Sequence, residues 1–128
     1  AEIVVSTSTN VGRRGEFLAA YILETYGVEV HHVDRAGSDL WCKVRGSITT
    51  VQVKSCSKPT RYGHNKTDMY TYHTPKIDVD WYCFVALDRQ LLLMKRNGSF
   101  TTAKVRILPN EFNEANQRRT IEEFLESC

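Results

Sequence analysis

Apolar positions in this chain fall into short alternating runs, with a helical stretch at either end. From Gly12 to Tyr26 they follow a 3.6-residue period, and the segment F-L-A-A-Y-I-L (17–23) is apolar nearly all round. That pattern predicts a helix packed on more than one side. Asn10 is the expected N-cap and Gly27 the expected stop. Val28 to Val33 reads as a strand, and so do Asp39 to Val44 and Ile48 to Ser55, the last two joined by a tight turn at Arg45-Gly46. Lys58 to Lys76 is expected to be a polar loop. Trp81 to Leu87 and Leu91 to Lys95 form a further strand pair around Asp88-Arg89-Gln90, and Ala103 to Leu108 adds an edge strand. Asn116 to Glu126 closes the chain as a helix with Ile121, Phe124 and Leu125 on one face. The order α-β-β-β-loop-β-β-α predicts an α/β fold, a mixed β-sheet flanked by helices.

Strand alternation also predicts where polar side chains meet. In Ile48 to Lys54, Gln52 and Lys54 lie on one face and Val51 and Val53 on the other; in the preceding strand Asp39, Trp41 and Lys43 share a face. A turn centred between Arg45 and Gly46 pairs residues whose numbers sum to 91, which sets Asp39 opposite Gln52. Opposed residues of an antiparallel pair project to the same side with Cβ atoms roughly 5 Å apart, so Asp39, Gln52 and Lys54 are expected to converge. Asp39 and the Gln52 carbonyl are hard oxygen donors suited to Mg2+. Such an ion activates water and stabilises charge on a phosphodiester, and Lys54 is placed to stabilise the same charge. Glu16 has Gly12, Ala19, Ala20 and Leu23 as its helical neighbours, all small or apolar, so it is expected to face protein.

At 128 residues the chain is expected to be one domain, 1–128, with 41% hydrophobic and 25% charged residues. No apolar run reaches the roughly 18 residues of a membrane span, and the polar start, Ala1 to Asn10, is not a signal peptide. Cys42, Cys56, Cys83 and Cys128 include no C-x-x-C pair, and Cys56, His64 and His73 are too loosely spaced for zinc. A reduced, cytoplasmic protein is expected. Net charge is only +2, but Lys43 to Lys66 holds six basic residues and no acidic one. A one-sided basic stretch suggests a polyanion partner. Lys58, Arg61, His64, Lys66 and Tyr72 in the expected loop, with Arg13 and Arg14 one turn before Glu16, are the candidates for contacts to DNA phosphates and bases.

A helix Glu, then Asp, then a (D/E/Q)-x-K strand is the order of the PD-(D/E)XK nuclease superfamily, which this chain resembles. The resemblance is carried by G-R-R-G-E-F-L-A-A-Y-I-L-E-T-Y-G, G-S-D-L-W-C-K-V and V-Q-V-K-S, within residues 12–55, and more weakly by D-V-D-W-Y-C-F-V-A-L at 78–87. It is similar to the subgroup that includes a cyanobacterial intron-encoded homing endonuclease, and its G-R-R-G-E helix also resembles archaeal Holliday-junction resolvases. The resemblance implies a restriction-endonuclease-like core, with Glu16, Asp39 and Gln52 at metal-site positions, the Val53 carbonyl as a further ligand and Lys54 as the catalytic lysine. It also implies Mg2+ or Mn2+ as cofactor and double-stranded or branched DNA as partner. Two positions depart from the pattern. Ser38 replaces the motif's proline, and Gln52 replaces the usual acid, removing one negative charge. The expected activity is sequence-specific, homing-type cleavage. A junction resolvase and a DNA-binding module that has lost catalysis are the alternatives. A small domain reads duplex DNA as a symmetric oligomer, so a homodimer or homotetramer is expected.

Overall fold

The computed structural model describes residues 8–35, 38–64, 66–100 and 103–128. Helix α1 (Ser8–Thr25) is followed by β1 (Glu29–Arg35), β2 (Ser38–Val44) and β3 (Ser47–Cys56). Two strands, β4 (Thr60–Tyr62) and β5 (Thr67–His73), precede the pair β6 (Trp81–Ala86) and β7 (Leu91–Arg96). Strand β8 (Lys104–Ile107), a 3-10 turn (Pro109–Glu111) and helix α2 (Glu114–Ser127) complete the described chain.

The expected α/β architecture is present. A five-stranded sheet has the order β1-β2-β3-β6-β7, in which β3 and β6 run parallel and the other neighbours antiparallel. On one face, Ala19, Ile22 and Leu23 of α1 and Ile121 and Phe124 of α2 join Leu40, Val51, Val53 and Cys83 in one core. The other face is covered by a second sheet, β4-β5-β8, where the sequence suggested a loop and an edge strand. Tyr70, Tyr72 and Ile107 pack there on Tyr82, Phe84 and Leu93. Covered on both faces, β6 is buried along its whole length, as its unbroken apolar run requires.

Phenolic groups explain why this second layer was not anticipated. Tyr70, Tyr72 and Tyr82 are buried rings whose hydroxyls reach acceptors: Asp88 Oδ1 at 2.7 Å, Val85 O at 2.9 Å and Pro75 O at 2.8 Å. Burial raises the Tyr70 phenol to about 12, since a charged phenolate loses its hydration there.

Helix ends show which local signals hold. Gly27 (φ 87) closes α1: its N–H donates to Glu24 O at 3.0 Å and Val28 N–H donates to Leu23 O at 3.2 Å, the paired bonds of a left-handed glycine cap. Asn10 lies inside α1, whose start at Ser8 precedes the expected one, so it is no N-cap. Helix α2 likewise starts earlier, capped by Asn113, whose Oδ1 accepts from Asn116 N–H at 2.8 Å. Among the described residues no helix is long and apolar enough to cross a membrane.

Candidate active site

The β2–β3 hairpin turns on Arg45 (φ 50) and Gly46 (φ 85), both left-handed, which is the two-residue turn that matches strand twist. The ladder then pairs Val44 with Ser47, Lys43 with Ile48, and onward to Leu40 with Val51, so the register is the expected one. The pairing ends at Leu40–Val51. Beyond it, Asp39 does not face Gln52 in a ladder pair; instead its Oδ2 accepts a hydrogen bond from Val53 N–H at 2.9 Å. A carboxylate thus takes over a backbone donor that the neighbouring strand would otherwise have paired. In an extended strand a residue's N–H and C=O point to the same edge, so the Val53 carbonyl faces this gap too.

Gln52 and Lys54 lie on the face opposite Val51 and Val53, and both are half-buried. Glu16 arrives from α1, in the helix layer. Its approach depends on Gly15, where an added Cβ would stand 1.6 Å from Ser55 Oγ and 2.7 Å from Ser55 Cβ. Helix and strand are therefore in contact at this point with no room for a side chain. Ser55 Oγ is itself buried with no hydrogen-bond partner among the described residues.

The result is a pair of carboxyl groups in hydrogen-bonding contact, Glu16 with Asp39, beside the Lys54 ammonium. Burial pushes Asp39 above its ordinary 3.8, against the opposing pull of Val53 N–H, Lys54 and Glu16. Desolvation wins. A cation would neutralise both carboxylates, and the donors expected from the sequence (the two carboxyls, the Gln52 amide oxygen and the Val53 carbonyl) are all hard oxygens of the kind that fits Mg2+. Among the described residues no three His, Cys, Asp or Glu side chains gather as a metal group.

The candidate DNA contacts are not brought together as one loop. Arg13 and Arg14 are exposed on α1; Lys58 is exposed between β3 and β4. Arg61 lies on β4 opposite Asp68, with Nε and Oδ1 4.0 Å apart. His64 and Lys66 are exposed in the β4–β5 turn. Tyr72 is a correction: it is buried, its hydroxyl is committed to Val85 O, and it offers nothing to a ligand. Lys104 and Arg106, among the basic residues given no role from the sequence, are both exposed on β8. The alternation K-V-R-I in residues 104–107 carried that signal.

A bacterial homing endonuclease, I-Ssp6803I, has a similar structure: TM-score 0.74, 17% sequence identity, with 96% of this chain and 94% of that chain covered. At that identity the likeness is one of fold. No family model matches the chain, and no curated protein does.

Proposed function

We propose that this chain is a metal-dependent DNA endonuclease of the PD-(D/E)XK type that hydrolyses phosphodiester bonds at a specific duplex sequence, in the manner of homing endonucleases. The observation that carries the reading is the meeting of the Glu16 and Asp39 carboxyls beside Lys54, where β2 and β3 part company. The fold it shares with I-Ssp6803I, a homing endonuclease, supports the same reading.

Asp39, Glu16, the Gln52 side-chain oxygen and the Val53 carbonyl would hold Mg2+ or Mn2+. When bound, the cation supplies Lewis acidity toward the phosphate and a lowered pKa for water. Lys54 contributes a fixed positive charge where the phosphate gathers negative charge in the transition state. Val53 N–H fixes the Asp39 rotamer, so the carboxylate is set before substrate arrives. Arg13, Arg14, Lys58, His64 and Lys66, all exposed, would contact DNA phosphates, and a symmetric dimer or tetramer would present two such sites to one duplex.

Neutral Gln52 leaves the site with one carboxylate fewer than the usual motif, and this favours one second reading, a domain that binds DNA without cutting it. The test is one cleavage assay on supercoiled plasmid, linear duplex and a synthetic four-way junction, each with Mg2+ and with chelator. Cleavage of plasmid or duplex that chelator abolishes is expected. Preferential cutting of junctions of any sequence would indicate a resolvase, and binding without cutting would favour the second reading.

A further inference from the structure

The second sheet has an outward face that the proposed chemistry does not use. Tyr70 and Tyr72 pair with Ile107 and Val105 and point into the core, so Thr71 and His73 point outward with their partners Arg106 and Lys104. By the same alternation Tyr62 and Thr67, an opposed pair of β4 and β5, lie on this outward face. Eight side chains, Thr60, Tyr62, Thr67, Met69, Thr71, His73, Lys104 and Arg106, make a surface of hydroxyls and cations with one apolar side chain, Met69, and no carboxylate. Asp68 belongs to the other face, with Arg61.

One contact on this surface is ordered. The Arg106 guanidinium lies over the Tyr62 ring, 3.9 Å from its centroid, across the intervening strand β5. An exposed arginine ordinarily loses rotamer freedom when a ligand fixes it. Stacking on a ring meets part of that cost in advance and leaves the fork of N–H donors free to point outward. A planar fork matches the O6 and N7 acceptors of guanine, and threonine methyls match the thymine methyl. Strands presenting such side chains enter the major groove of duplex DNA. The connection from β3 to β4 is short (57–59), so this face is tethered closely to the strand that bears Lys54.

We propose that the outward face of β4-β5-β8 reads base edges in the major groove of duplex DNA, with Arg106, held by Tyr62, contacting a guanine. The proposal rests on the nuclease reading and names the surface that would give it sequence preference.

The experiment uses the full chain carrying Asp39→Ala, which should bind without cutting. This protein is used to select sequences from a randomised duplex pool and, separately, from a randomised single-stranded RNA pool. The expected result is a duplex consensus. Adding Arg106→Ala should erase the preference at one or two adjacent base pairs and weaken binding of the selected duplex by about 5- to 100-fold, the worth of one bidentate base contact. Arg106→Lys keeps the charge and loses the fork, so it should lose the same preference while retaining the salt dependence. Tyr62→Leu should weaken binding less than Arg106→Ala, and should add nothing in the presence of Arg106→Ala. Circular dichroism and melting confirm that these exposed replacements leave the fold intact.

An unchanged consensus in Arg106→Ala would overturn the proposal. So would uniform weakening across all sequences with a flatter salt dependence, which would make Arg106 a phosphate contact. Enrichment of RNA over duplex would overturn it as well. Duplex binding and plasmid cutting by the wild type alongside an unchanged consensus would leave the nuclease reading standing; absence of any DNA binding would remove both.

Discussion

Gly15→Ala is the substitution whose effect the structure specifies most closely. Its new methyl would sit 1.6 Å from Ser55 Oγ and 2.7 Å from Ser55 Cβ, with Ser55 Cα at 3.8 Å. The hydroxyl can rotate away, but the Cβ cannot. Restoring an ordinary separation of about 3.7 Å between two carbons requires α1 to withdraw from β3 by about 1 Å. Overpacking of this kind costs about 1–3 kcal/mol, while alanine in a helix gains about 1 kcal/mol over glycine. The net loss of stability should be about 0–2 kcal/mol. Glu16 follows in the same turn and moves with the helix, and a displacement of about 1 Å in a positioned group costs about 100-fold in rate. Activity should therefore fall far more than stability. Ser55→Gly removes both clashing atoms and leaves the methyl facing only backbone, at an ordinary van der Waals separation. The double variant Gly15→Ala/Ser55→Gly should recover cleavage to within roughly 10-fold of wild type, a strong coupling between two touching residues. The assay is Mg2+-dependent plasmid cleavage alongside urea unfolding for the four members of the cycle. Wild-type cleavage by Gly15→Ala, or a folded double variant as inactive as the single one, would refute the reasoning.

Asp39→Asn should raise stability at neutral pH without metal. The folded carboxyl is raised above 3.8, so its favourable contribution is present below that value and is lost as pH rises through the raised pKa. Urea midpoints of the two proteins should converge below 3.8 and separate above it, in favour of Asn; the opposite order at neutral pH would contradict the burial argument. Gln52→Glu should lower the Mg2+ concentration that supports cleavage and Gln52→Leu should raise it, because an ionised carboxylate is the stronger donor. Identical metal titrations for all three proteins would show that Gln52 is no ligand. Gly46→Ala forces a left-handed φ of 85 on a residue with a Cβ, and should cost about 1–2 kcal/mol in urea unfolding without moving the hairpin register. An unchanged midpoint would contradict that assignment.

Local signals in the chain were faithful wherever one residue type has one physical use. Arg45-Gly46 set the hairpin and with it the register that runs to Leu40–Val51. Gly27 ended α1 where a left-handed residue was needed. The register argument stopped one pair short, because it treated Asp39 as a side chain opposite Gln52. Its carboxylate is instead a backbone cap for Val53 N–H, which period-2 alternation does not encode. Reading 58–76 as a loop failed because Tyr70 and Tyr72 carry hydroxyls that look polar in sequence yet are satisfied inside the core. That same error placed Tyr72 at the surface and left the pairing of β5 with β8, and so the outward side of Arg106, out of view. The Glu16–Asp39 contact joins a helix to a strand. Its residues were legible, but the closeness of α1 to β3 at Gly15 was not, since it depends on packing between layers.

Cleavage and binding measured together on Asp39→Ala and Lys54→Ala test the central claim most directly. Both side chains belong to the group at which the phosphate is expected to react, and the exposed basic residues elsewhere are expected to carry the affinity. With Mg2+ and supercoiled plasmid, each variant should lose at least about 100-fold in cleavage rate, as expected when a group stabilising developing charge is removed. Each should bind the same DNA within a few-fold of wild type, and each should melt as a folded protein. Wild-type cleavage by either variant would contradict the assignment of this site.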